Sequence, residues 1–141
     1  MIGYLLVRAE GRSYGLPVGR VLEVSDAGRV LDVPRSLPAV RGLTSLRGRL
    51  VPLIHLGAFL GGRAAPPETG GTVVLVELRG GAGGREGRQV AFEVDDADEV
   101  VREQAMPVPR GQSLPWAVGV AERGGALVPI LDLEALGDRI G

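Results

Sequence analysis

The sequence has 141 residues, a formal net charge of −1 and no cysteine. This length fits one compact domain or two small units. The balanced charge gives no electrostatic reason to expect a nucleic acid or an anionic membrane as a partner. The absence of cysteine excludes disulfides, thiolate metal sites and cysteine nucleophiles.

Short apolar runs, each bounded by Gly, Pro or Asp, follow one another along the chain and indicate many short β-strands joined by turns. The first run is too short to cross a membrane and lacks the features of a secretory signal. We therefore interpret it as a strand, and expect a cytoplasmic protein without direct membrane insertion. Two helical turns are predicted at 56–60 and 133–140. In chain order, the predicted strands are 4–7, 15–24, 50–56, 73–78, 90–101, 116–121 and 127–133.

Two stretches of the sequence occur twice. Residues 48–56 (GRLVPLIHL) recur as residues 125–133 (GALVPILDL), a shift of 77 positions. Upstream, several residues of 11–24 match residues of 87–100 at a shift of 76. Such self-similarity is typical of one supersecondary unit present in two copies.

The repeat and the strand pattern together predict an all-β fold of two similar small barrels that arose by internal duplication. The predicted units are approximately residues 1–61 and 72–141, joined by a linker at 62–71 within one domain of residues 1–141, and terminal strands are allowed to cross between the barrels. A unit of about 65 residues would be marginal alone, so we expect the two units to share an interface. We expect the two Leu-Val-Pro strands in equivalent environments, with these side chains largely buried: Leu50, Val51, Ile54, Leu127, Val128 and Leu131.

No set of residues points to an enzyme, a metal site or a cofactor. His55 is the only histidine, and a lone histidine without cysteine cannot form a usual zinc site. One Gly-x-Ser-x-Gly string occurs, at residues 11–15 (GRSYG), but it leads into a predicted strand rather than a helix, so it does not form a nucleophile elbow. The glycine-rich segment 80–87 precedes a predicted strand rather than a helix, so no phosphate site is expected there. We expect His55, at the end of an apolar strand, to cap the helical turn that follows.

An acidic cluster lies in the second half of the sequence, at Asp95, Asp96, Asp98 and Glu99. It departs from the calcium-loop pattern, because counting from Asp95 or Asp96 gives neither Gly at the sixth position nor Glu at the twelfth. We interpret the cluster as a solvated strand edge or as a contact surface for a basic partner.

Arg47 and Arg49 flank Gly48 just before the repeated strand. The second copy has Gly124-Gly125-Ala126 at these positions, so the barrel itself does not require the charges. Arginine is also the charged residue best suited to anchor an interface. Arg47 is therefore a candidate partner-binding residue, the alternative being an ordinary exposed arginine of a turn.

These motifs resemble the CheW-like family, the adaptors of bacterial chemotaxis arrays. The most specific one, at 42–48 with Pro52, is similar to the family's Gly-Val-x-Asn-Leu-Arg-Gly-x-x-x-Pro. The resemblance covers nearly the whole chain, and the order and spacing of the motifs make it specific. They are YLLV (4–7), YGLPV (14–18), VLEV (21–24), GLTSLRG (42–48), VPLI (51–54), EVDD (93–96), VGV (118–120) and LDL (131–133).

The resemblance implies two five-stranded SH3-like barrels with a groove between them. It also implies a non-enzymatic adaptor that links the cytoplasmic tips of chemoreceptors to the regulatory domain of a histidine kinase, in chemotaxis or a related pathway. The family's functional Arg and Glu fall on Arg47 and Glu23. For Glu23 an alternative is structural, because its counterpart Glu99 is also acidic and both could pair with a nearby arginine. The predicted partner-binding residues are Glu23, Val24, Leu43, Arg47, Gly48 and Asp95.

The sequence departs from the family pattern in three places. Ser45 replaces the usual Asn, His55 replaces the usual Asp, and the segment from Pro38 to Gly42 is one residue short. These departures leave open a divergent protein that binds only one of the two partners. A second alternative, a small β-barrel that binds nucleic acid, is disfavoured because the sequence has only five aromatic residues and no basic excess.

Overall fold

The structure, a computed structural model, describes residues 1–34, 37–67, 71–78 and 88–140. Within these ranges the chain forms eleven strands, a 3-10 turn at Val18–Arg20 and two helices, α1 (Leu56–Leu60) and α2 (Leu133–Ile140). Both helices lie where helical turns are predicted. The strands are β1 (Ile2–Ala9), β2 (Arg12–Pro17), β3 (Val21–Asp26), β4 (Val30–Leu31), β5 (Val40–Leu46), β6 (Arg49–His55), β7 (Thr72–Leu78), β8 (Arg88–Val94), β9 (Asp96–Glu103), β10 (Ala117–Arg123) and β11 (Ala126–Leu131).

Two sheets hold these strands, in the orders β10-β11-β2-β1-β9 and β3-β7-β8-β6-β5-β4. Each sheet closes on itself. In the six-stranded sheet, β4 pairs with β5 through Val30 and Thr44. In the five-stranded sheet, Met106 pairs with Val120 of β10. We call the closed sheet of β3–β8 barrel 1, and that of β1, β2 and β9–β11 barrel 2. Barrel 2 has the five strands that the resemblance implies, whereas barrel 1 has six because residues 21–31 form two short strands.

This topology interleaves the two halves of the sequence. Hairpin β1–β2 lies in barrel 2 with strands of the second half, and hairpin β7–β8 lies in barrel 1 with strands of the first half. The result differs from the expectation that residues 1–61 and 72–141 each build a unit of their own. The exchange follows from two parallel contacts, β6 with β8 and β11 with β2. Parallel neighbouring strands cannot be joined by a tight turn, so in each barrel the parallel neighbour comes from the other half of the sequence.

The repeat in the sequence is reproduced in the pairing of the strands. Every paired position of hairpin β5–β6 recurs in hairpin β10–β11 at a shift of 77, including the irregularity before Gly42 and Gly119. The parallel contact Leu53 with Ala91 has its counterpart in Ile130 with Gly15. The two Leu-Val-Pro strands therefore occupy equivalent environments, which confirms the prediction from the repeat.

Two glycines allow the barrels to close. Gly42 has a φ of 149°, and a Cβ placed on it would collide with the backbone oxygen of Leu31. A Cβ on its counterpart Gly119 would lie 2.6 Å from the backbone oxygen of Met106. Both collisions involve backbone of the segment that closes the barrel, so any side chain at these positions would force the closing segment apart.

The apolar interior forms three clusters: a small core in each barrel and a larger cluster that the barrels share. On β7, Val73 and Leu75 belong to the core of barrel 1, whereas Val74 and Val76 belong to the shared cluster. Both faces of such a strand are buried, which explains its unbroken apolar sequence. The shared cluster is the interface between the two barrels, whereas the sequence predicted an interface between residues 1–61 and 72–141.

The burial prediction for the Leu-Val-Pro strands is confirmed at four positions and wrong at two. Val51, Ile54, Val128 and Leu131 are buried. Leu50 and Leu127 are 59% and 49% exposed. Side chains alternate along a strand, so burial of Val51 and Val128 turns the preceding leucines outward.

Candidate partner-binding surface

Arg47 and Gly48 form the two-residue turn between β5 and β6, since Leu46 pairs with Arg49. Their φ angles are 55° and 73°, and those of Gly124 and Gly125 in the equivalent turn are 55° and 82°. A tight hairpin turn of this type needs positive φ at both positions and favours glycine or asparagine. An arginine in the left-handed region costs roughly 1–2 kcal/mol. Arg47 is therefore held in a conformation that suits its glycine counterpart better.

The Arg47 side chain lies over β3 and makes only long contacts there. Its Nε lies 4.0 Å from Oε1 of Glu23, and its Nη1 donates to the carbonyl oxygen of Leu22 over 3.4 Å. The side chains of Arg47 and Glu23 are 52% and 33% exposed. Exposed ion pairs of this length contribute little to stability. The pair therefore leaves the guanidinium available to another protein.

Five of the six predicted partner-binding residues belong to two elements of barrel 1, namely β3 and hairpin β5–β6 with its turn. We call these five residues the hairpin surface: Glu23, Val24, Leu43, Arg47 and Gly48. Val24 is exposed, Leu43 is half-buried, and no heavy atom lies within 4 Å of a Cβ built on Gly48. Leu50, which sequence reasoning placed in the core, adds an exposed apolar side chain to the same hairpin.

Asp95, the sixth predicted residue, has its contacts elsewhere. It lies between β8 of barrel 1 and β9 of barrel 2. Its Oδ2 accepts from the backbone N–H of Gly11 over 3.1 Å, and its own N–H donates to the carbonyl oxygen of Arg8 over 2.7 Å. These bonds hold the connection between β8 and β9 against hairpin β1–β2, which is a structural role. A role of Asp95 in partner binding stays a prediction.

His55 caps α1, as predicted. Its Nδ1 accepts from the backbone N–H of Ala58 over 3.0 Å. Its counterpart Asp132 caps α2, because its Oδ1 accepts from the N–H groups of Glu134 and Ala135 at 3.1 Å each. His55 and Asp132 both cap a helix. Helix capping alone therefore accounts for a histidine in place of the family's Asp at position 55, without a role in partner binding.

The acidic cluster lies at the start of β9, where Asp98 and Glu99 are exposed. Partial burial and the neighbouring Asp98 raise the pKa of the Asp96 carboxyl, while Arg8 at 3.9 Å opposes the shift. Glu99 is already paired with Arg123 over 3.0 Å. The predicted solvated edge describes this cluster, although two of its carboxylates, Asp96 and Glu99, are paired with arginines of the same chain. The glycine-rich segment 80–87 lies outside the described residues.

Sequence reasoning missed two features. The first is a buried ion pair in barrel 1, in which Nε of Arg41 lies 2.6 Å from Oε1 of Glu93. The second is Arg123, which binds Glu99, the counterpart of Glu23. Because both repeats have a glutamate at this place, the sequence allowed Glu23 and Glu99 each to pair with a nearby arginine. This alternative is confirmed.

Three comparisons with other proteins bear on identity. No helix among the described residues has the length or apolar character to span a bilayer. Protein PilI of Pseudomonas aeruginosa is 36% identical over 70 residues, which are 50% of this chain and 39% of PilI. The similarity therefore spans well under half the length of that relative.

The crystal structure of the scaffolding protein TtCheW from Thermoanaerobacter tengcongensis has a TM-score of 0.78 to this chain at 20% identity, over 96% of this chain and 91% of that chain. At this identity the likeness concerns the fold, and it confirms the predicted pair of SH3-like barrels. The CheW-like domain family matches residues 3–140. With nearly its whole length matched, the chain belongs to the CheW-like family.

Proposed function

We propose that this protein is a non-enzymatic adaptor that couples the cytoplasmic tips of chemoreceptors to the regulatory domain of a chemotaxis-type histidine kinase, in chemotaxis or a related motility or signalling pathway. Membership of a scaffold family supports the adaptor class. The two-barrel fold supports it further, because two connected barrels offer separate surfaces to two partners on one rigid body.

The observation that carries the proposal is the conformation of Arg47. The residue has a positive φ in a turn where the other barrel uses glycine, and its own contacts within the chain are long and exposed. Among the described residues, the long and exposed contacts of Arg47 offset little of the cost of that conformation. A contact with a second protein would offset it, because a guanidinium that becomes buried against a carboxylate is a strong interface anchor.

The chemistry of the hairpin surface indicates what the partner presents. Val24 and Leu50 supply exposed apolar area on the two elements that carry the hairpin surface. We propose that an apolar patch of the partner covers these side chains while a carboxylate binds Arg47. The Glu23 carboxylate would hold the guanidinium in place for that contact, and Gly48 would let the partner backbone approach closely.

Arg47→Ala tests the proposal when the affinity for a kinase regulatory domain is measured by calorimetry. We expect binding to weaken by about 1–3 kcal/mol, as for a moderate interface anchor. Arg110→Ala removes the same charge from an exposed position in the segment between β9 and β10 and serves as the matched control. Binding by the control should equal that of the unmodified protein.

The same variants, titrated with a receptor-tip fragment, decide between one partner and two. Loss of kinase binding alone assigns the hairpin surface to the kinase, and loss of receptor binding alone assigns it to the receptor. A protein that binds only one of them without any substitution is the divergent adaptor. Unchanged affinity of Arg47→Ala for both partners would reject the hairpin surface as an interface.

A further inference from the structure

A cavity of about 520 Å³ opens in barrel 2 between β2 and β11. These two parallel strands pair only at Gly15 and Ile130, so they diverge toward the turns that precede both of them. The buried side chains of Val120 and Val128 form part of the apolar lining. The volume falls within the range of roughly 300–1,000 Å³ that is typical of small-molecule sites.

Two aromatic rings line one side of this cavity. Tyr14 and Trp116 meet edge to face, with ring centroids 5.8 Å apart and planes at 65°. Leu127, one of the two leucines expected in the core, also lines the cavity and is half exposed. Its exposure gives the cavity a second apolar side.

The corresponding positions of barrel 1 cannot form such a cavity. At the repeat shifts, Trp116 corresponds to Ala39 and Tyr14 to Val90, both small and buried. Arg12 corresponds to Arg88, whose Nη2 donates to the carbonyl oxygen of Gly137 over 2.7 Å. The two aromatic rings of the cavity are therefore particular to barrel 2, and Arg12 differs from its counterpart Arg88 in lacking a hydrogen bond of this kind.

Arg12 gives the cavity its charge. The exposed Arg12 has no side-chain hydrogen bond or ion pair within the described ranges of the chain. The other basic residue of the lining, Arg123, is already neutralised by Glu99 and Glu103 at 3.0 and 2.6 Å. Among the described residues of the lining there is no carboxylate. The cavity thus combines apolar and aromatic walls with one uncompensated cation.

We propose that this cavity binds a small carboxylic acid with an apolar body. The body would lie against Trp116 and Leu127, and the carboxylate would accept hydrogen bonds from the Arg12 guanidinium. Burying the apolar body supplies the affinity, and the charge-assisted bond selects an acid over a neutral molecule of the same shape. The site is independent of the hairpin surface, so it stands or falls without the adaptor proposal.

Octanoate is a suitable probe, because it has an apolar chain, carries a carboxylate and does not absorb where tryptophan emits. Trp116 is the only tryptophan of the sequence, so its fluorescence reports directly on the cavity. We expect octanoate to change this fluorescence saturably. Arg12→Gln should weaken octanoate binding about five- to tenfold and leave the binding of neutral octanamide unchanged. Arg12→Lys, which keeps a cation, should retain most of the octanoate affinity.

Arg49→Gln removes the same charge from the exposed hairpin of barrel 1 and is the matched control. Its octanoate affinity should equal that of the unmodified protein. The absence of a saturable fluorescence change with octanoate would overturn the proposal. So would an Arg12→Gln variant with native circular dichroism that binds octanoate as tightly as the unmodified protein, or that loses octanoate and octanamide equally.

Discussion

Barrel 1 and barrel 2 share a backbone plan and differ in what they present to other molecules. Their equivalent hairpins pair in the same register, yet one turn is Arg47-Gly48 and the other Gly124-Gly125. The duplication thus gives each position an internal reference. A feature that both barrels keep belongs to the scaffold, and a feature that one barrel adds at a cost to its own turn is a candidate for function.

Each barrel has been specialised at a different place. Barrel 1 carries Arg47 on its hairpin and the buried pair of Arg41 and Glu93, whereas barrel 2 carries the cavity beside Trp116. At the repeat shifts Arg41 corresponds to the exposed Val118, so the buried pair is also particular to barrel 1. These differences distinguish the features that both barrels share from the features that only one barrel has.

The largest expected effect concerns the buried pair. Glu93→Ala should destabilise the protein by about 3–5 kcal/mol, because it removes the carboxylate that neutralises a buried guanidinium. The side chains of Arg41 and Glu93 are only 7% and 3% exposed. Chemical denaturation would measure the change. Glu122→Ala on the exposed face of β10 is the control and should fall within about 0.5 kcal/mol of the unmodified protein.

The next effect sharpens the comparison of the two Leu-Val-Pro strands. Leu131→Ala should cost about 2–5 kcal/mol, since it opens a cavity in the shared cluster. Ile54→Ala at the equivalent position of barrel 1 should cost a similar amount, because both side chains are fully buried. Thermal and chemical unfolding would compare the two.

Leu127→Ala lies on the same strand as Leu131 and serves as its control. Its side chain is half exposed, so its loss should cost well under the amount for Leu131. Equal losses for Leu127→Ala and Leu131→Ala would show that the inward and outward faces of β11 have been assigned incorrectly.

The sequence predicted the repeat, both helices and most of the strands because these depend on local patterns. It omitted β4 and β5, and it predicted one strand where β2 and β3 lie and one where β8 and β9 lie. Gly, Pro and Asp bound the apolar runs, and His55 and Asp132 cap the helices within a few residues of themselves. It left open a crossing of terminal strands but did not predict the exchange of both hairpins, because parallel contacts such as Leu53 with Ala91 join distant segments and leave no local signature.

The errors at Leu50 and Leu127 have a different origin. Both leucines belong to continuous apolar runs, which hide the alternation between inward and outward side chains. Arg47 could be singled out from the sequence, because its counterpart in the otherwise similar repeat is Gly124. The pair of Arg41 and Glu93 could not be foreseen, since it joins a residue at the irregularity of β5 to a strand far along the sequence.

A smaller effect tests the turn itself. Arg47→Gly should stabilise barrel 1 by up to about 1 kcal/mol, because glycine adopts the positive φ without steric cost. The reciprocal substitution Gly124→Arg should destabilise barrel 2 by a similar amount. No heavy atom lies within 4 Å of a Cβ built on Gly124, so any loss there reports on backbone strain rather than on a clash. Differential scanning calorimetry of the two variants would resolve the opposite signs.

The most direct test of a partner-binding role for Arg47 is the affinity of Arg47→Gly for the kinase regulatory domain, measured on a sample whose unfolding free energy is also determined. The account predicts that binding weakens by about tenfold or more while the folded state is as stable as before or more stable. A variant that binds as well as the unmodified protein, or that loses binding only because it unfolds, would contradict it.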